Sequence, residues 1–326
     1  MKPMRKLGVG VIGIGSWGKN HVRVFSDLEN VELVAVCDVD PRRAKDIADK
    51  YRIQPYTSVE DLLKREDIEA VSICTPTTTH YQVALRAIGC GRHLFVEKPM
   101  VSTSEEAQSL IATAKGKGVH LMVGFIERFN PGVQRVKALI REGALGDVVL
   151  AFAKRVGRWP TRIGDVGVVK DTAIHDLDIM RFIFEQEPRS IYARMGSLSH
   201  KFEDYAHIVL GFNDIQTGFV EANWLTPHKI RTLIITSEEA VMTLNYLTQE
   251  ITIEDFEKMV RPTYKWEEPL ALELKEFAQS VLEDRDPKVT GWDGLKALEI
   301  AEAAIESARI DGAVKVNEKA SSNELK

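Results

Sequence analysis

Cysteine is scarce in this chain of 326 residues, which has three, Cys37, Cys74 and Cys90, with no close spacing. So odd and sparse a set is neither a disulfide framework nor a thiolate zinc site. Cys37 and Cys74 sit inside apolar runs and read as small core residues. Long apolar runs are missing too, and nothing approaches the roughly 18 residues of a membrane span. The basic start followed by an apolar run over 7–14 lacks the length and the small-residue cleavage site of a signal peptide. An excess of basic charge is also absent. Lys and Arg number 43 against 48 Asp and Glu, a formal charge of −5, which excludes a general nucleic-acid surface but not a local basic pocket. There is no internal repeat, no low-complexity linker and no metal-ligand pattern. These absences together describe a cytoplasmic protein with neither a membrane nor a nucleic-acid partner.

What is present is an ordinary globular composition, 44% apolar and 28% charged, at a length that favours two domains. Over residues 7–124, short Val- and Ile-rich runs (7–12, 31–37, 70–74, 93–96 and 121–123) alternate with amphipathic stretches (19–28, 41–51, 59–64, 79–88 and 104–117). Near-continuous apolar strands separated by helices predict a doubly wound parallel sheet covered on both faces, an α/β Rossmann domain. After residue 125 the rhythm changes. Strand-like stretches crowd together, interrupted by one helix over 172–184 and followed by helices over 268–282 and 292–309. This predicts an α+β domain on an open, largely antiparallel sheet. The expected division is 1–126 for the dinucleotide domain and 127–326 for a substrate and oligomerisation domain. A polar, disordered tail is expected over 317–326.

The first strand runs into Gly13-Ile14-Gly15-Ser16-Trp17-Gly18 and then a helix. This is G-x-G-x-x-G in its required strand–turn–helix setting. The first glycine permits the turn, the second lets a pyrophosphate approach the backbone, and the third lets helix and strand pack closely. Asp38 ends the second strand, 20 residues beyond Gly18, where a carboxylate accepts hydrogen bonds from the adenosine ribose. It would repel a 2′-phosphate and so favours NAD over NADP, although Arg42 and Arg43 pull the other way. Further polar residues stand at strand ends, where ligands of open parallel sheets bind. They are Thr75-Pro76 with His80, Glu97-Lys98-Pro99, and Glu127-Arg128. All are read as lining one crevice.

Pro99 restricts Lys98 to an extended or turn conformation, placing an amine where it can handle a proton. Further on, Asp171 and His175 are four residues apart in Lys170-Asp171-Thr172-Ala173-Ile174-His175 and would share one face of a helix. An imidazole held near neutrality there suits proton acceptance. Taken alone, the pair reads equally as a helix cap and a structural histidine.

Together these residues closely resemble the Gfo/Idh/MocA oxidoreductase family over nearly the whole chain. The markers are the glycine turn, Asp38, Thr75-Pro76 with His80, Glu97-Lys98-Pro99, and Asp171 with His175. The resemblance implies a Rossmann domain, a C-terminal domain whose open sheet mediates homo-oligomers, NAD as cofactor, and Lys98 and His175 as the proton-handling pair supported by Asp171. The family's frequent D-x-G-x-H lacks its glycine here, which argues against the inositol branch. The stretch from Arg155 through Arg158, Trp159 and Arg162 to Val169 looks like the UDP-N-acetylglucosamine 3-dehydrogenase branch. Arg155, Arg158 and Arg162 could present planar donors to a diphosphate, and Trp159 could stack on a sugar or base. The expected reaction is NAD-dependent oxidation of the 3-hydroxyl of a UDP-N-acetylhexosamine, with Lys98, Arg155, Arg158, Trp159, Arg162, Asp171 and His175 around the substrate. A dehydrogenase of a free sugar or cyclitol is the alternative, and a catalytically silent NAD-binding sensor a remote one.

Overall fold

The computed structural model describes residues 5–160 and 164–316. The described residues divide into two compact units, one holding 5–124 together with Leu270–Leu295, the other Phe125–Pro269 with 296–316.

In the first unit six strands form one parallel sheet: β1 (Leu7–Ile12), β2 (Val31–Cys37), β3 (Gln54–Tyr56), β4 (Ala70–Ile73), β5 (His93–Glu97) and β6 (Leu121–Gly124), in the order β3-β2-β1-β4-β5-β6. The order reverses at β1, so the crevice of this doubly wound sheet opens at the carboxyl ends of β1 and β4. Helices α1 (Gly18–Asp27), α2 (Pro41–Tyr51), α3 (Val59–Leu63), α4 (Thr77–Gly89) and α5 (Ser104–Lys117) are the crossovers. Their starts follow local chemistry. Asp40 accepts from the Arg42 and Arg43 amides ahead of α2, whose first residue is Pro41, and Thr103 accepts from Glu106 N to start α5. Gly118 ends α5 in the left-handed conformation, φ 64°.

The change of rhythm assigned residues 270–295 to the second half, but they cluster with the first unit. Val289 accepts from Val123 N at 3.3 Å and Thr290 bridges Met122, so the returning chain covers the exposed edge of β6. Phe277, on α8 (Pro269–Leu282), packs edge-on to Phe95 of β5 with ring centroids 5.6 Å apart.

The second unit is built on nine strands: β7 (Val148–Arg158), β8 (Ser190–Gly196), β9 (Tyr205–Gly211), β10 (Thr217–Asn223), β11 (Leu225–Ser237), β12 (Ala240–Asn245), β13 (Ile251–Asp255), β14 (Met259–Val260) and β15 (Val314–Lys315), in the order β14-β13-β12-β11-β7-β10-β9-β8-β15. Among the described residues β7 and β10 are its one parallel pair, and every other pairing is antiparallel. Period-2 alternation sorts the two faces. The cross-strand row Ala193, Ile208, Val220, Ala153, Leu233 and Leu244 is buried. The next row, Tyr192, Val209, Phe219, Phe152, Ile234 and Thr243, is half-buried to exposed although five of its six members are apolar.

The unit also holds α6 (Pro131–Arg141), and charge is buried in it as well. On α7 (Ile174–Phe184), Asp176 accepts from Arg155 of β7 at 2.6 and 3.0 Å, and Arg155 also donates to Glu127 at 2.8 Å. Asp178 accepts from Arg128 at 2.7 and 2.6 Å and from Arg181 at 3.3 Å. The Arg155 fork fixes α7 to the sheet and the Arg128 fork fixes it to the 3-10 turn Ile126–Phe129, and removing one partner strands the others without a counter-charge. The Arg155→Met variant should therefore lose about 3–5 kcal/mol of stability, read from urea unfolding; a loss under about 1 kcal/mol would show that the fork does not hold α7 in place.

Candidate active-site residues

In the first unit the three motif glycines have separable physical reasons. Gly13 has φ +86°, and a Cβ there would lie 2.7 Å from Thr75 N. A Cβ on Gly18 would sit 1.9 Å from Gly13 O, whereas Gly15 has open space around it. The turn is thus closed against its own backbone at two glycines and left clear at the third, which is what a pyrophosphate requires. Ser16 and Trp17 are exposed, and no side chain caps α1, leaving its first amides to an anion. These residues fit a dinucleotide.

Asp38 is buried at the end of β2. Its Oδ2 accepts from Ile14 N at 2.9 Å, its Oδ1 from Asp40 N at 3.0 Å, and Arg43 Nη1 lies 3.0 and 3.2 Å from the two oxygens. The carboxylate is therefore tied to the glycine turn and shielded by a side chain that is 40% exposed.

Glu97 ends β5, with Lys98 half-buried beside it and a cis Lys98–Pro99 peptide. Its Oε1 accepts from Trp17 Nε1 at 2.8 Å and lies 3.0 Å from His21 Nε2, while its Oε2 faces Lys98 N at 3.3 Å. Gly124 makes room for it, since a Cβ there would be 2.9 Å from Oε1. Burial opposes charge on His21, but Cys74 and Glu97 outweigh it and raise its pKa to about 10. Burial opposes charge on Glu97 too, and His21 and Lys98 bring its pKa below the usual value. Sequence reasoning missed His21; the available signal was a histidine three residues beyond the last motif glycine.

His80 was expected to face a cofactor. It is instead buried, with Nε2 2.8 Å from Thr75 O and Nδ1 3.0 Å from Pro99 O, and burial lowers its pKa. It staples the Thr75-Pro76 turn to the Lys98-Pro99 segment. Arg128 is likewise buried in its fork with Asp178, a structural use that its place after a strand did not reveal.

In the second unit Asp171 does not lie on the α-helix. It sits in a π-helical turn, Val169–Ala173, that precedes α7, and His175 is the second residue of α7. Such turns are rare and concentrate at functional sites. This one is pinned from several sides: Trp224 Nε1 donates to Thr172 Oγ1 at 2.9 Å, Thr172 Oγ1 donates to Asp171 Oδ2 at 3.1 Å, and Val168 N donates to Glu203 O at 2.9 Å.

Of the predicted diphosphate donors, Arg155 is overturned. It is 2% exposed, and Nε, Nη1 and Nη2 are all spent on Asp176 and Glu127. Arg158 and Trp159 are exposed where β7 ends, and Arg162 lies outside the described residues, as does the tail from 317. Trp159 stacks on His200, centroids 4.2 Å apart, and His200 meets Trp224 edge-on at 6.0 Å. Two cations unread in the sequence stand at the same end of the sheet. Arg231 is in register with Arg155, about one-third exposed, with Nη1 3.8 Å from Glu127 Oε1. Lys229 is exposed two residues earlier on β11, beside Gly157. Burial and then Arg155 lower the pKa of Arg231, with Glu127, Asp176 and Asp171 opposing; burial, Arg231 and Arg155 lower that of Lys229. The signal for them was their i, i+2 spacing on a strand, which puts both charges on one face.

Comparison with known proteins fits this geometry. The model of an oxidoreductase family with an NAD-binding Rossmann fold matches residues 7–125, and the model of the GFO/IDH/MocA C-terminal domain matches residues 133–242. The chain is 30% identical over 322 residues to scyllo-inositol 2-dehydrogenase (NAD(+)) of Bacillus subtilis, covering 92% of this chain and 93% of the relative. It is 34% identical over 190 residues to UDP-N-acetylglucosamine 3-dehydrogenase of Acidithiobacillus ferrooxidans, 58% of each chain. The solved structure of the latter enzyme superposes with a TM-score of 0.86 at 26% identity, covering 94% of this chain and 99% of that one. With a glycine turn open at Gly15 and both halves matched, this chain belongs to the Gfo/Idh/MocA family of oxidoreductases, enzymes with an NAD-binding Rossmann fold.

Proposed function

We propose that this enzyme oxidises the 3-hydroxyl of a UDP-N-acetylhexosamine to a ketone. The observation that carries the reading lies within the second unit. The π-turn bearing Asp171, followed by His175, is tied through Thr172 to Trp224, which meets His200 of the Trp159–His200 stack, and Arg158, Lys229 and Arg231 stand on the paired strands β7 and β11. A diphosphate calls for cations, and a sugar or base calls for an aromatic face.

NAD, when bound, supplies the hydride acceptor. The open backbone at Gly15 with Ser16, Trp17 and the uncapped start of α1 would hold its pyrophosphate. Asp38 would hold the adenosine ribose, the Arg43 side chain giving way to the ribose diol. Thr75 and Pro76 form the facing wall of the turn. His175 takes the proton of the substrate hydroxyl, and Asp171 holds the imidazole in the orientation for that transfer. Lys98 stabilises the developing alkoxide with its ammonium.

A cyclitol is the second reading, favoured by the inositol relative that matches almost end to end. The two separate by absorbance at the NADH band with UDP-N-acetylglucosamine, glucose and myo-inositol as substrates. Turnover should appear with the nucleotide sugar, and turnover confined to myo-inositol would overturn the reading. In Arg158→Ala and Lys229→Ala, each losing one charge-assisted hydrogen bond, KM for the nucleotide sugar should rise about tenfold or more with kcat little changed. An unmoved KM would take those two cations off the diphosphate. His175→Ala should lose at least about a hundredfold in kcat with NADH affinity kept, and Lys98→Met a comparable factor; wild-type turnover in either removes that residue from the chemistry.

The apolar row through exposed Tyr192 and Phe219 and half-buried Phe152 supports a homo-oligomer formed through the sheet face, because contiguous apolar surface outside the core marks an interaction site. In sedimentation velocity the wild type should run as a dimer or tetramer and Phe219→Glu as a smaller species. An unchanged sedimentation coefficient would place the contact elsewhere.

A further inference from the structure

The buried ionic group beneath the glycine turn has no assigned purpose. His21 is fully buried on α1. One ring nitrogen lies 3.0 Å from Glu97 of β5 and the other 2.9 Å from Ser72 Oγ of β4, which in turn lies 3.6 Å from Cys74 Sγ. Phe25 and Phe95 stand edge-on to the imidazole at 6.4 and 5.4 Å, and Trp17 at 6.2 Å. An apolar pair would fill this space at lower cost, because taking an ion pair out of water rarely gains net stability. What such a pair does supply is direction. A carboxylate accepting charge-assisted bonds holds its donors at short, fixed distances. Glu97 has two attachments besides His21, and both belong to the functional surface: the Trp17 indole in the glycine turn at 2.8 Å, and the Lys98 amide at 3.3 Å.

We propose that the buried His21–Glu97 pair is a positioning device that locks the Trp17 side of the dinucleotide turn to the backbone of Lys98. The imidazolium pairs its charge with Glu97 across 3.0 Å at Nε2 and donates from Nδ1 to Ser72, whose hydroxyl then points its proton at Cys74. Glu97 stays ionised and keeps both oxygens for Trp17 and Lys98. Neither residue touches the substrate. Their effect is on where the turn and the amine sit. The inference rests on reading residues 13–18 as the NAD turn and Lys98 as the catalytic amine.

The test starts with the unmodified enzyme. In nitrogen-15 spectra of the imidazoles, assigned with the His21→Gln variant, His21 should remain doubly protonated beyond pH 8. Its stabilising contribution is complete below the ordinary histidine range, near 6.5, and is lost as pH rises toward its folded value of about 10. The melting temperature of the wild type should accordingly fall more steeply over that interval than that of His21→Gln. Glu97→Gln should keep a cooperative melt, raise the NADH dissociation constant about tenfold and lower kcat about tenfold, with KM for UDP-N-acetylglucosamine unmoved. His21→Gln retains a neutral donor toward Glu97 and should recover NADH affinity to within about threefold of wild type. A neutral His21 at pH 7.5 in an enzyme that binds NADH normally would overturn the inference alone, as would wild-type NADH affinity and turnover in both variants. Failure of the wild type to bind NADH would overturn the dinucleotide reading and the inference with it.

Discussion

A charge removed from water must bring its counter-charge along, and in this protein that requirement is met at the strand ends where function is expected. Glu97 is the clearest case. Its carboxylate is buried at the end of a central parallel strand, where desolvation alone would drive it neutral. It stays ionised because a histidine from α1, an indole from the glycine turn and a backbone amide converge on it. The small residue Gly124 on the neighbouring strand is part of the same solution, since any side chain would occupy the carboxylate's space. Turn, helix and strand end are thereby set by one group. The second unit uses the same device with the sign reversed: Arg155 is the buried cation, and Asp176 and Glu127 gather around it.

The consequence for function is a separation of labour among charged residues of identical chemistry. Arg155 and Arg231 are directly opposite each other on adjacent strands. Arg155 is enclosed and has its edges satisfied by Asp176 and Glu127, whereas Arg231 reaches Glu127 only at 3.8 Å and retains exposure. Neutralisation of Arg155 by two carboxylates leaves Arg231 and Lys229 as the cations with charge to offer a ligand. Their pKa values fall first because burial costs them hydration and then because Arg155 repels both and Arg231 repels Lys229, a cost that an incoming dianion would relieve.

The parts of this arrangement legible in sequence are those fixed by backbone geometry or by period. Gly13, Gly15 and Gly18 could be given separate duties because only a turn of one shape needs three glycines at those offsets, and the structure shows three different steric reasons for them. The parallel sheet was readable from near-continuous apolar runs separated by helices, and the antiparallel one from strand-like stretches that follow one another closely. Hidden from the sequence were partnerships across tens of residues. Nothing local distinguishes Arg155, enclosed by Asp176 and Glu127, from Arg158, three residues on and exposed. His80 looked like a ligand-facing residue because it follows a strand end; its partners, the carbonyls of Thr75 and Pro99, are visible only once β4 and β5 lie side by side. The π-turn was unreadable for another reason. A spacing of four between Asp171 and His175 is compatible with an ordinary helix, and the wider turn arises from distant anchors, Trp224 and Glu203.

That last point bears on what differs between a cyclitol and a nucleotide-sugar enzyme on one scaffold. Both substrates present a secondary alcohol, so the proton-handling residues need not change, and fold alone does not discriminate. A cyclitol is neutral and is held by hydrogen bonds, so uncompensated cations near it would only repel each other. A nucleotide sugar carries its charge several bonds from the reacting carbon, and binding there can be spent on orienting the hydroxyl. The chain retains exposed or half-exposed cations at Arg158, Lys229 and Arg231 on the paired strands β7 and β11, with Trp159 next to Arg158 stacked on His200, and has Thr172, held by Trp224, donating to Asp171. Repulsion among cations lowers stability in the free protein. Retaining it is physically sensible where a ligand supplies the missing negative charge, which is the argument for a diphosphate over a polyol.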